Sequence, residues 1–140
     1  MKSATFCLPM AAVAGVGFAL LMHAPIGNAQ QTQGPSEGKG SSTAALASID
    51  LAAEFEGGLG RQLRARLVTI EPGGHTAFHS HTDRPTLEYV VQGDVVEIRN
   101  GVEIAHHQGE MVRAAHDVSH WWENRGTVPV LLLPVDVFRP

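Results

Sequence analysis

Thr86-Leu87-Glu88-Tyr89-Val90-Val91-Gln92-Gly93-Asp94-Val95-Val96-Glu97-Ile98-Arg99-Asn100-Gly101 is the stretch that decides the fold. Thr86–Gln92 is rich in β-branched and aromatic residues, which suit a pleated, half-buried strand. It stops at Gly93-Asp94. Val95–Arg99 then forms a second run that ends at Asn100-Gly101. Asn-Gly supplies the two positive-φ positions of a tight hairpin turn, so a third strand is expected to follow at once.

The same pattern extends in both directions. Towards the C-terminus, Val102–His107, Met111–Ala114, Val118–Glu123 and Val128–Phe138 are short apolar runs divided by glycine and polar turns. Towards the N-terminus, Leu63, Ala65 and Leu67 alternate with Gln62, Arg64 and Arg66, the period of two of a strand. Pro72-Gly73-Gly74 reads as a turn closing that strand, and Thr76–His81 as the next extended run. No stretch after residue 60 has helical periodicity. Ala44–Phe55 is open between a helix, favoured by its alanines, and a sheet edge. Many short strands at regular spacing imply an all-β sandwich or barrel.

The remainder of the chain is expected to lie outside this domain. Residues 1–29 have the layout of a secretory signal: Lys2, an apolar run from Ala11 to Met22, then Gly27 and Ala29 before Gln30. Pro9, His23 and Pro25 break the run, which is short of the ~20 residues of a membrane-spanning helix. A cleaved signal rather than a stable anchor is expected, and with it a periplasmic or secreted location. Residues 30–43 are polar and rich in glycine and serine, as in a flexible linker. Residues 44–140 are left as one compact domain.

Cleavage would remove Cys7, the single cysteine, so no disulfide and no thiolate metal site is expected in the domain. It would leave nine Lys and Arg against fourteen Asp and Glu. With no basic cluster, nucleic acid is not an expected partner.

Seven of the eight histidines fall between His75 and His120. His79 and His81 stand two apart in an extended run, so both rings point to one face and can converge on one ion. His75 shares their parity. On such an alternation His106 and His107 face opposite ways on a surface hairpin, and His116 sits in an exposed turn. Trp122 shares the parity of His120 and Asn124 and is expected to wall a pocket. Trp121 points outward, where a second sheet or a second subunit would cover it. Arg84, following the histidine pair, reads as a solvated loop residue with an anionic ligand at the pocket mouth as the alternative.

Two groups of residues resemble the paired motifs of the cupin superfamily. Gly73, His79, His81 and Gly93 match the first, and Gly109, His120 and Asn124 the second. The resemblance is to small, single-domain type-2 members. It implies a jelly-roll β-barrel with a divalent transition metal (Fe, Mn, Zn, Ni or Cu) on His79, His81 and His120, and often a dimer. The family's acidic ligand falls at Thr86; the acid here is Glu88, two residues on and on the same face. Glu88 is therefore either a ligand or a base or acceptor beside the metal. The resemblance and the histidine pattern together imply a metal-dependent enzyme of dioxygenase, isomerase or lyase type. Its substrate would be a small oxygen-rich metabolite, with Glu88 or His75 moving the proton and Trp122, Thr86 and Asn124 around the substrate. The alternative is a non-catalytic binding or sensing module.

Overall fold

A computed structural model describes residues 34–140. The segment read as a signal, 1–29, lies outside them, as do 30–33. Nine strands follow in chain order: β1 (Lys39–Asp50), β2 (Gln62–His75), β3 (His79–Ser80), β4 (Thr86–Gln92), β5 (Val95–Arg99), β6 (Val102–His106), β7 (Met111–Ala114), β8 (Ser119–Glu123) and β9 (Val130–Phe138). No helix occurs among the described residues. All pairings are antiparallel, in the order β6-β5-β8-β2-β9-β4-β7, with β1 on β2 and β3 on β8. Long β2 joins the two halves: it pairs with β1 and β9 along its length and with β8 at its end, where His75 stands opposite Glu123. The sheet thereby curls into a barrel of jelly-roll type.

The expected strands are present. Asn100 (φ 49°) and Gly101 (φ 82°) form the tight turn between β5 and β6, with Arg99 opposite Val102. Inward residues Ile70, Val90, Val95, Val112, Trp122, Val130 and Leu132 fill the core, each from a different point of the alternation.

Three expectations change. First, β1 begins at Lys39, so residues 39–43 belong to the sheet and not to a linker. Its alanines lie in an edge strand rather than a helix, because pairing with β2 overrides their local preference. Second, Pro72-Gly73-Gly74 does not end β2. The pairing jumps from Ser41–Ile70 to Lys39–His75, so residues 71–74 form a bulge opposite Gly40. Gly74 cannot carry a side chain there: a Cβ would lie 2.7–2.9 Å from the carbonyl oxygens of Lys39, Glu71 and Gly40. Third, Trp121 is covered by its own chain. Gly34 lies against its indole, and Phe78 meets it edge-on at 6.1 Å.

The alternation in β2 has an unusual sense. Arg64 and Arg66 share the parity of buried Ile70 and point into the barrel, while Leu63 lines an outer groove with Leu87, Val135 and Val137. The arginines meet fully buried Asp136 on β9. Arg64 donates two hydrogen bonds to its carboxylate (3.0 and 2.9 Å), and Arg66 donates one (2.9 Å). A polar barrel interior of this kind is expensive unless paired, and it marks a site rather than a core.

Candidate metal centre

His79 on β3 stands directly opposite His120 on β8. His81 follows two residues on and is tied down by a bond from its N–H to Val118 O (2.9 Å). These three rings and Glu88 on β4 bring one donor atom each to a common point, all within 4.8 Å of one another. Nε2 of His120 lies 2.9 Å from Nε2 of His81 and 3.1 Å from Nε2 of His79. Glu88 Oε1 is 3.5 Å from both His81 and His120 Nε2.

Partners on the far side of each ring fix the tautomers. His79 Nδ1 donates to Ala77 O (3.0 Å), His81 Nδ1 to Arg84 O (3.1 Å), and His120 Nδ1 to the Glu97 carboxylate (2.5 Å). Those oxygens only accept, so every Nδ1 carries the hydrogen and each neutral ring turns a bare Nε2 inward. Three lone pairs at such spacing repel unless a cation or a proton lies between them. Two donors ~2.1 Å from one ion and at right angles lie ~3 Å apart, which is the spacing seen. The residues therefore fit a divalent transition metal held by three imidazoles and one carboxylate.

Electrostatics agree. Burial drives the His79 pKa down to about 4 and lowers that of His81, which keeps both rings neutral as ligands must be. Burial also opposes charge on His120, but hydrogen bonds to the carboxylates of Glu88 and Glu97 outweigh it and raise its pKa. Glu97 is itself fully buried. Hydrogen bonds from His120, Arg99 and His106 overcome burial and hold its carboxyl at about 2. Glu88 is likewise held ionised against burial, first by His120 and then by the other two rings.

Of the residues singled out in the sequence, His79, His81, His120 and Glu88 come together, and Glu88 stands with the donors despite its displaced position. Trp122 walls the adjoining cavity as expected. His75, taken as a proton-transfer residue, is not in this cavity. Residues 76–78 form no strand, so the parity from His79 does not carry back to it. It lies in a separate surface groove with Glu123 and Arg125. Thr86 does not face the cavity either: its hydroxyl meets His81 Nδ1 at 2.8 Å and donates to Arg84 O, steadying the ring. Asn124 is a buried clasp. It donates to Ile70 O and Val128 O (both 2.8 Å) and accepts from Gly126 N–H (2.9 Å), closing the β8–β9 connection.

Sequence reading missed Glu97, Arg66 and the role of His106, and it favoured a solvated loop for Arg84 over the pocket mouth. An acid inside Val95-Val96-Glu97-Ile98 was a visible signal, because a buried carboxylate demands partners. Those partners are His120, Arg99 (2.8 Å) and half-buried His106 (3.0 Å), so His106 supports the centre from behind instead of standing free on a hairpin. Arg84 lines the cavity beside His81, and so does Arg66.

The cupin domain family, type 2, matches residues 66–137. The chain is a cupin. No curated protein matches it. Among solved structures, a predicted oxalate decarboxylase from Thermotoga maritima is similar at 22% identity and TM-score 0.60, covering 74% of this chain and 86% of that one. KdgF from Halomonas sp. is similar at 18% identity and TM-score 0.55, over 69% and 78% of the two chains. The cupin domain of an XRE family transcriptional regulator from Enterobacter cloacae is similar at 15% and 0.54, over 73% and 99%. At these identities the likeness is one of fold. This cupin shares its barrel with a protein named as a predicted oxalate decarboxylase and with a regulator's domain, so its own site carries the functional argument.

Proposed function

We propose that this cupin is a metal-dependent enzyme acting on a small, oxygen-rich metabolite. One observation carries the reading: three of the four donors, His79, His81 and Glu88, line an open cavity of about 360 Å³, and His120 Nε2 stands 2.9 Å from His81 Nε2 and 3.1 Å from His79 Nε2 beside them. Four protein ligands on one side leave coordination positions on the cavity side for a substrate oxygen or water. His79, His81, His120 and Glu88 would hold the ion, which when bound supplies Lewis-acid polarisation of a ligand oxygen. Trp122, Val68 and Leu132 provide apolar wall. Glu97 and Thr86 orient His120 and His81 from behind. The protein is placed in the periplasm or outside the cell on the signal-like residues 1–29, a reading that rests on sequence.

The test is metal content together with exchange at the centre. Protein of residues 30–140 is reconstituted with Mn, Fe, Ni, Cu or Zn, desalted and analysed for bound metal, beside His79→Ala and His120→Ala. About one equivalent in the parent and under a tenth in both variants is expected. Under a tenth in the parent with every metal overturns the reading.

A binding or sensing module is the second reading, and the cavity wall favours it in one respect. Apart from His79, His81 and Glu88, the polar side chains lining it among the described residues are hydroxyls, guanidiniums and the Trp122 indole, with no further carboxyl or imidazole to move a proton. Slow loss of a bound ligand without chemical change, followed by mass spectrometry, would select this reading.

A further inference from the structure

The cavity over the donor floor has a second chemical feature opposite in character to the carboxylate–imidazole cluster. Two guanidiniums, Arg66 and Arg84, line it. Their charges are not both answered by protein. Asp136 is the acid nearest Arg66, and it is shared. Arg64 takes the carboxylate with a two-bond fork and also lies 3.7 Å over the Phe138 ring, so its bonding is complete. Arg66 gets one bond, from Nη2, and its Nε is buried without a partner. Among the described residues, the Arg84 guanidinium is bonded only through Nη2 to Ser80 O (3.2 Å).

Trp122 adds an independent observation. It is 1% exposed, it lines the same cavity, and its Nε1 is the other buried side-chain nitrogen without a partner among the described residues. Buried orphan N–H groups are uncommon and costly, and here both belong to one cavity wall. The charges point the same way. Arg66 and Arg84 face the metal donors, Glu88 is the one acid lining the cavity among the described residues, and Asp136 is shared with Arg64. Loading the centre therefore leaves the cavity with excess positive charge and unused donors.

We propose that Arg66 and Arg84, with the indole N–H of Trp122, form an anion subsite across from the metal donors, and that the cavity takes a small organic carboxylate. The carboxylate lies against the guanidiniums while a second oxygen of the same molecule reaches the metal. Guanidinium pairs with planar carboxylate through two parallel bonds, which suits a ligand small enough for this space. The inference rests on the centre binding metal, as proposed above.

The experiment uses glycolate and its neutral analogue glycolamide as probes, titrated by calorimetry into protein loaded with Mn. Metal content is measured on every sample. The variants are Arg66→Gln and Arg84→Gln. Arg66→Gln leaves Asp136 its two bonds from Arg64; Arg84 is half-buried just after the exposed Thr82-Asp83 turn and outside any strand, so its variant tests the subsite if the first fails to fold. The parent is expected to bind glycolate at least tenfold more tightly than glycolamide. Each folded variant should lose about tenfold or more for glycolate and little for glycolamide, with metal content unchanged. Equal glycolate affinity in parent and folded variants, with metal bound, overturns the subsite. A parent that holds no metal overturns the metal reading instead, and the two failures are told apart by the metal measurement.

Discussion

Replacing Glu97 with glutamine removes one charge at a point where three side chains converge. The carboxylate is fully buried and accepts from His120 Nδ1, Arg99 Nε and His106 Nε2. Glutamine keeps the shape but offers a single acceptor oxygen and turns an NH2 towards the remaining donors. The carboxyl sits at about 2 in place of 4.5. At ~1.4 kcal/mol per pH unit, that corresponds to roughly 3 kcal/mol of native-state preference for the ionised form. Part of it is shared with His120, so a loss of about 2–3 kcal/mol at pH 7 is expected. For a domain of this size that is a fall in Tm of ~10–20 °C. Because His120 loses the partner that aims its Nε2, metal affinity should drop ~10–100-fold as well. Scanning calorimetry of the metal-free proteins and metal titration measure the two effects separately. The sign with pH is fixed by the depressed carboxyl. The stability it contributes is complete above 4.5 and is lost as pH falls through about 2, so the gap between parent and variant should close over that interval. A Tm within 2 °C of the parent and metal affinity within twofold would refute the argument.

Three other outcomes are expected. His75→Ala should leave metal stoichiometry unchanged while His79→Ala abolishes it, measured by elemental analysis; equal losses would return His75 to the centre. Any proton released on metal binding should come from His120, whose pKa is raised, and not from His79, at about 4, or from His81, which is also lowered. Calorimetry in buffers of differing ionisation enthalpy counts the protons at pH 7; release of two or three would contradict the assignment. Asn124→Ala strips three hydrogen bonds from a buried amide, one buried and two part-buried, and should cost ~2–4 kcal/mol in urea unfolding with metal binding retained. Loss of metal at full stability would make Asn124 part of the site.

The strands and the histidine centre were legible because both depend on local spacing. Alternation in Thr86–Arg99 and the Asn100-Gly101 turn dictate a hairpin meander, and His79-x-His81 places two rings on one face whatever the rest of the chain does. His75 shows where that logic stops. Parity carries along a strand only while pairing is continuous, and residues 76–78 interrupt it. Arg66 and Glu97 depend on partners 70 and 23 residues away, Asp136 and His120. Asn124 sits at the expected spacing, yet its amide turns to the backbone of Ile70 and Val128 rather than to the cavity. Spacing fixes where a side chain starts; only the fold decides which partners compete for it.

The donors also come from separate parts of the fold. His79 and His120 lie on the paired strands β3 and β8, and Glu88 lies on β4, next to β9 and β7. An ion bound to all of them would act as a cross-link between the two halves of the barrel, closing the 39-residue interval from His81 to His120. The described domain contains no cysteine. The centre would then do for this barrel what a disulfide does for other small domains, constraining the unfolded chain and stiffening the cavity walls. It differs from a disulfide in being reversible: barrel stability would track the free metal concentration around the protein.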